Sequence, residues 1–394
     1  MAAVASSSLL ARPALAQGKS DIGVTDTEIK LGMSAPYSGP ASAYGVQGKS
    51  GEAYFKWVND NGGINGRKVN LIALDDAYSP PKAVENTRKL VEQERVLAIF
   101  GSIGTPTNLA VAKYLNQKKV PHLFIGTGGP AFFDPQNAPM TIPWQPNYAL
   151  EGSVWAAHVL QTKPNAKIAI LAPNDDFGRS NLKGFKERLG DRLKEMVVAE
   201  QTYETSDPSV DPQVITLAGS KADVFINLAT PKFTAQSIRK AFDLGWRPLQ
   251  YVHSGSNAID IVLEPAGLEK SKGILSVAFM KVPSDPGLST DAATKEFLAW
   301  HGKYYPESKS SDSAVVMGHC RAFTMHQALK AAGRDLNRET LIKAATNIAD
   351  LQVPMVINGI KFNTTPTDYS GIRSFQVISF DGERWTPTGP LISI

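Results

Sequence analysis

Three stretches of this 394-residue chain carry residue types that could do chemistry. Ala43-Tyr44-Gly45-Val46-Gln47-Gly48-Lys49-Ser50 nearly spells a phosphate-binding loop, in which glycine N–H groups cradle phosphates, a lysine reaches the outer phosphate and a hydroxyl holds magnesium. Residues 69–75 would supply the apolar strand ending in an acid. Two features oppose this reading: Ala43 replaces the first glycine, and about eight residues separate the motif from the preceding strand. The plainer reading is a helix opening at Gly48-Lys49-Ser50, with Ala53, Trp57 and Val58 on its packed face. Gly126-Thr127-Gly128-Gly129-Pro130-Ala131 resembles a dinucleotide fingerprint, with Glu151 some twenty residues on. Pro130 and Pro135 bracket Phe132-Phe133, however, and leave no room for the helix whose N-terminus would face a pyrophosphate. A glycine-rich loop whose backbone approaches a smaller ligand fits better.

His253-Ser254-Gly255-Ser256 sets a histidine beside two serines, but neighbours at a strand end point apart, and no G-x-S-x-G elbow exists. The pairs Asp75-Asp76 and Asp175-Asp176 could be an acid and a base, although strand-end carboxylates more often cap helices or make hinge contacts. Six histidines and one cysteine, Cys320, show no paired spacing, so no metal site or cofactor is expected. A binding protein, and not an enzyme, is the expectation. Gly101-Ser102-Ile103-Gly104-Thr105-Pro106-Thr107 and Gly126-Thr127-Gly128-Gly129 both follow apolar strands, and each is expected to be followed by a helix. Ligands of open α/β sheets bind outside the carboxyl ends of the strands, where helix N-termini favour a carboxylate.

The elements that must position these residues follow from periodicity. From Ile29 onward apolar runs alternate with stretches of helical period, the pattern of βαβ units, and the fold class is α/β. Strands are predicted at 29–34, 69–74, 96–101, 122–125, 167–172, 197–203, 224–228, 250–253 and 274–279. Helices are predicted at 48–59, 81–94, 109–118, 150–161, 179–189 and 234–244. The rhythm then changes to helices at 292–305, 313–332 and 338–346. A terminal hairpin follows around Asp381-Gly382, residues that a tight turn prefers. The loop at 281–289, with Pro283 and Pro286, reads as a crossing between lobes.

A chain of this length exceeds one core, so two domains are expected. Hydrophobic content of 42% with 20% charged residues is ordinary globular composition. The net charge of +4 is small and interspersed, so nucleic-acid binding gains no support. No apolar run is long enough for a membrane span. Met1 to Gln17 is poor in charge and rich in Ala, Ser and Leu, and it ends in Ala14-Leu15-Ala16, the pattern a signal peptidase reads. Cleavage after Ala16, export to the periplasm and a structureless segment up to residue 26 are expected.

Met33-Ser34-Ala35-Pro36-Tyr37-Ser38-Gly39-Pro40, Asn61-Gly62-Gly63-Ile64-Asn65-Gly66-Arg67, Asp75-Asp76 and residues 96–101 occur in the order seen in branched-chain amino-acid-binding proteins. From about Thr27 onward the chain resembles that family of type I periplasmic solute-binding proteins of ABC transporters. The resemblance implies two doubly wound parallel-sheet lobes joined by a three-segment hinge, here 27–146 plus 279–355 and 147–278 plus 356–394. It implies a monomer that closes over a small carboxylate ligand and delivers it to a membrane permease. Carried over by position, carboxylate binding falls on Thr105, Thr127, Gly128 and Gly129. Tyr44 closes over the ligand, with Phe132 nearby, and Phe177, Thr230, Ser254 and Gly255 face it from the other lobe. One departure stands out. Amino-acid binders place an acid after the strand at 250–253, and this chain has Ser254-Gly255-Ser256-Asn257. A buried ammonium without a counter-charge costs several kcal/mol. With Tyr44, Phe132, Phe133, Trp144 and Phe177 offering aromatic surface, the expectation is an aromatic or apolar carboxylic acid such as a benzoate or phenylpropenoid. A branched-chain or other apolar amino acid is the alternative. A ligand sensor of the same fold is a second one.

Overall fold

Strands buried on both faces read as continuous apolar runs, because helices cover a parallel sheet from both sides. The computed structural model describes residues 22–393, so the expected leader and its cleavage site lie outside the described residues. In it β1 (Glu28–Ala35), β2 (Lys68–Asp75), β3 (Ala98–Phe100), β4 (His122–Ile125) and β5 (Thr141–Pro143) form one sheet in the order β2-β1-β3-β4-β5. Every pairing within it is parallel. The second sheet runs β12-β11-β10-β9-β8-β6-β7. It comprises β6 (Ile168–Pro173), β7 (Val197–Tyr203), β8 (Val224–Asn227), β9 (Leu249–Val252), β10 (Leu275–Ala278), β11 (Ser374–Phe380) and β12 (Trp385–Ser393). Only the two pairings of β11, with β10 and with β12, are antiparallel; β11 and β12 form the expected hairpin, in which the Asp381 carboxylate accepts the N–H groups of Glu383 and Arg384.

The longer helices are α1 (Gly45–Asp60), α2 (Pro80–Arg88), α3 (Thr105–Gln117), α4 (Tyr148–Thr162), α5 (Asp176–Leu189), α6 (Asp211–Gly219), α7 (Pro231–Asp243), α8 (Ala292–Tyr304), α9 (Ser313–Ala331) and α10 (Arg338–Ala345). Several begin earlier than periodicity implied. α3 starts at Thr105 because Pro106, lacking an N–H, suits the first turn, and α5 starts at Asp176 because the Asp175 side chain caps it. Short β5 and helix α6 were not foreseen, since three residues carry no period and α6 buries only Val214 and Leu217.

The chain leaves the first sheet after β5, builds the second through β10, and returns to the first for α8 to α10. There the Ser50 hydroxyl donates to the Val315 carbonyl at 2.7 Å, and the Arg338 guanidinium donates to the Val96 and Leu97 carbonyls. Residues beyond 356 still pack on the first sheet: Phe362 meets Phe124 and stacks on Trp144, and the Tyr369 hydroxyl donates to the Pro139 carbonyl. The two lobes are closed on each other, with Lys309 pairing Glu264 at 2.8 Å and the Ser313 hydroxyl donating to Asn257 at 3.4 Å.

Candidate functional site

Parallel strands that point the same way deliver their following loops to one edge of the sheet. Those edges face each other here and enclose a cavity between the lobes. The first lobe supplies Tyr44, Gln47, Tyr78, Ile103, Gly104, Thr105 and Gly126. Gln145 enters from the first crossing, and the second lobe adds Tyr148, Phe177, His253 and Gly255. The walls leave about 310 Å³ between them, part of it open to solvent.

On the first-lobe side the Thr105 and Thr127 hydroxyls share a hydrogen bond of 2.7 Å, and the N-terminus of α3, with no side-chain cap, abuts the cavity at Gly104. Behind this floor lies Arg321 of α9, 1% exposed. Its Nη2 donates to Gln47 Oε1 at 2.9 Å and its Nη1 to the Gly101 carbonyl at 3.3 Å, while Nε has no partner. A side chain at Gly126 would push Arg321 Nη1 from this position. No carboxylate pairs with Arg321 among the described residues, and burial pulls its guanidinium down to about 10. The group therefore remains a buried cation near neutral pH, and an anion in the cavity would offset its cost.

The second-lobe side carries the opposite sign. Phe177, Tyr148 and His253 form an edge-to-face cluster with ring centroids 4.9 to 5.3 Å apart. His253 Nδ1 accepts the Gly255 N–H, which assigns the remaining ring proton to Nε2, 3.5 Å from Glu151 Oε2. Burial holds His253 down to about 3, so its ring is neutral. Glu151, 2% exposed on α4, accepts the Ser254 N–H at 2.8 Å and the Ser254 hydroxyl at 2.7 Å. Burial raises its carboxyl to about 7, and the bonds from Ser254 only partly oppose that. Asp175, whose Oδ1 caps α5, has a buried Oδ2 without a partner, and burial raises this carboxyl too. A lone cation backs one wall, and buried carboxyls back the other.

A family model described as periplasmic binding protein matches residues 28–382. The chain belongs to the family of periplasmic binding proteins. Leu/Ile/Val-binding protein homolog 7 of Brucella abortus (strain 2308) is 24% identical to it over 353 residues, 85% of this chain and 84% of that one. Among solved structures, a branched chain amino acid ABC transporter protein from Thermus thermophilus with bound valine superposes with a TM-score of 0.83. It is 17% identical and covers 94% of this chain and 98% of its own. A fatty acid ABC transporter substrate-binding protein from Thermomonospora curvata gives 0.75 at 23% identity, over 96% and 94%. These likenesses establish the type I two-lobed fold. The protein is a type I periplasmic binding protein, and relatives that it matches are named as Leu/Ile/Val-binding protein homologs.

In this binding protein, four of the residues expected from sequence line the cavity: Tyr44, Thr105, Phe177 and Gly255. Thr127 stands one layer behind Thr105 and accepts the Gly129 N–H at 3.1 Å, which commits that N–H internally. Gly128 is held by the Tyr148 N–H on its carbonyl, and a side chain there would overlap the Pro146 carbonyl oxygen. Ser254 is spent on Glu151. Phe132 and Thr230 are 1% exposed and do not line the cavity. Phe132 packs beneath Gly129, and Thr230 stands just before α7, where its N–H donates to the Tyr203 hydroxyl. Trp144 is core as well, its indole N–H donating to Thr324. The aromatic wall is instead Tyr44, Tyr78, Tyr148 and Phe177.

The near-phosphate-loop residues lie at the start of α1 and inside it, so they form no anion cradle. Asp75 and Asp76 organise the loops around Tyr37, Ser38 and Tyr78, and Asp175 is a helix cap. Two buried charges were missed from sequence. Each had a faint signal, since Glu151 and Arg321 are solitary charges in otherwise apolar helical stretches, YALEGSVWAAHVL and VVMGHCRAFTM.

Proposed function

We propose that this binding protein captures a small apolar α-amino acid of the leucine, isoleucine and valine class and presents it, closed in the cleft, to an ABC importer of the periplasmic side. The carrying observation is the pair of uncompensated buried charges: Arg321 behind the first-lobe wall suits a carboxylate, and Glu151 behind His253 suits an ammonium. This reverses the argument from the missing acid after β9. The counter-charge comes from α4, whose carboxylate reaches Ser254 from 103 residues earlier in the chain. The names of the relatives support the same class. Closure by hinge motion makes binding a population shift, because only the closed form brings both lobes to the ligand. Tyr44 of the first lobe shares the cavity wall with Gly255 of the second and would act as the latch.

An aromatic or apolar carboxylic acid is the second reading, favoured by the four aromatic rings of the wall. Export through the N-terminal segment, with cleavage after Ala16, belongs to the same proposal, as does a monomeric state. Thermal-shift screening separates the ligands. A ligand present at a hundred times its dissociation constant adds about 2.7 kcal/mol of stability. Leucine, isoleucine or valine is expected to raise the melting temperature while benzoate and 4-hydroxycinnamate do not. The reverse pattern would support the aromatic acid.

A further inference from the structure

The second lobe has a pocket at the end of its sheet away from the cleft. β6, β8, β9 and β10 run parallel, so the loops entering them gather at the edge opposite the one that faces the ligand. There Lys163 after α4, Arg247 before β9, and Lys270 and Lys272 before β10 line one concavity with Phe242, Trp246 and Gln250. It encloses about 800 Å³, part of it open to solvent, and no acidic residue lines it.

The cations there are unevenly satisfied. Lys270 pairs with Asp243 at 2.7 Å. Arg247 lies over the Phe242 ring at 3.6 Å and spends only Nη1, on the carbonyls of Ala241, Phe242 and Trp246. The side chains of Lys163 and Lys272 make no hydrogen bond or ion pair with a described residue. Gln250 is 7% exposed, it lines the same pocket, and its Nε2 is buried without an acceptor. A buried amide donor normally finds a partner, because leaving it bare costs free energy. The pocket thus combines an excess of positive charge with unmet donors, and a guanidinium held flat against a ring keeps its fork pre-organised.

We propose that this pocket is a second ligand site, distinct from the cleft, that takes a small polyvalent oxyanion of the phosphate type. Charge attracts the anion, the Arg247 fork and the two free lysines contact its oxygens, and the Gln250 amide fixes its depth. The shared chemistry with an anionic lipid headgroup makes two arms necessary in the test.

Inorganic pyrophosphate is titrated into the full chain by calorimetry at an ionic strength of about 0.02 M, where surface charges are little screened. Binding is expected, and it should weaken about tenfold in each of Lys163→Ala and Lys272→Ala. Gln250→Leu, of similar volume, should weaken it about fivefold without lowering the melting temperature, because it removes a bare donor. A purely structural glutamine would lower the melting temperature and leave pyrophosphate binding alone. Cleft ligands should bind all three variants as they bind the wild type. The second arm is co-sedimentation with phosphatidylglycerol vesicles. Sedimentation without pyrophosphate binding would overturn the small-oxyanion site, as would pyrophosphate binding that none of the variants alters.

Discussion

Glu151→Gln is expected to bind leucine or valine about thirtyfold more weakly than the wild type in calorimetric titration at pH 8, a loss of about 2 kcal/mol. The substitution spares the architecture. Glutamine keeps an oxygen for the Ser254 N–H and can donate its amide to the Ser254 hydroxyl, the two bonds that Glu151 makes. What disappears is the negative charge behind His253. The pH dependence has a definite sign. In the empty protein burial raises Glu151 to about 7. A ligand ammonium favours the ionised form, so binding lowers that value and releases a proton below about pH 7. Affinity is therefore full above pH 7 and falls as pH falls through it, by at most about tenfold per unit. His253, held near 3, stays neutral throughout, and the Glu151→Gln variant should show no such slope. Folding gives the complementary signature. A carboxyl raised above its ordinary 4.5 contributes stability that is fully present below 4.5 and is lost as pH rises through about 7. The empty wild type should lose stability relative to the variant across that window, measured by chemical denaturation.

Arg321→Met tests the other wall. It is expected to weaken leucine and valine by about 2 to 3 kcal/mol, roughly thirty- to a hundred-and-fiftyfold, through loss of a charge placed for a carboxylate. Any carboxylate ligand should suffer alike, which separates this variant from Glu151→Gln, whose effect is confined to ligands with an ammonium. The fold should survive. Methionine fills the volume, and the removed guanidinium is a buried cation with no carboxylate partner, whose desolvation opposes folding. Against that gain stand the lost bonds to Gln47 and the Gly101 carbonyl. Melting followed by circular dichroism should shift by only a few degrees, roughly the effect of about 1 kcal/mol. Unaltered affinity in a well-folded variant would remove Arg321 from the account.

The alternation of apolar strands and amphipathic helices, and the glycine and hydroxyl residues at strand ends, made the two-lobed architecture and one edge of the cleft legible in the sequence. Thr105 stands where its motif implied because it follows its strand by a few residues, and Tyr44 where the resemblance placed it. The terminal hairpin was readable for the same reason, its turn chemistry being local. Contacts between distant segments were not readable. Arg321 meets Gly101 across 220 residues, and Glu151 meets Ser254 across 103. No local rule reports which solitary charge in an apolar helix will end behind a ligand cavity. The inference from Ser254-Gly255-Ser256 looked only at this local stretch. It assumed that a counter-charge had to follow β9 in sequence, whereas the fold lets Ser254 hold one supplied by α4. Phe132 and Trp144 misled differently: aromatic residues near a binding loop are as useful to the core beneath it, and both are buried there.

The central claim is that the cleft is built for a zwitterion, with its cationic wall on one lobe and its anionic wall on the other. Calorimetric titration of the wild-type protein with L-leucine and with 4-methylpentanoate, the same molecule without its amino group, tests it most directly. The account predicts that leucine binds about a hundredfold or more tightly than its deaminated analogue, with proton release below pH 7 for leucine alone. Equal affinity, or tighter binding of 4-methylpentanoate, would contradict it.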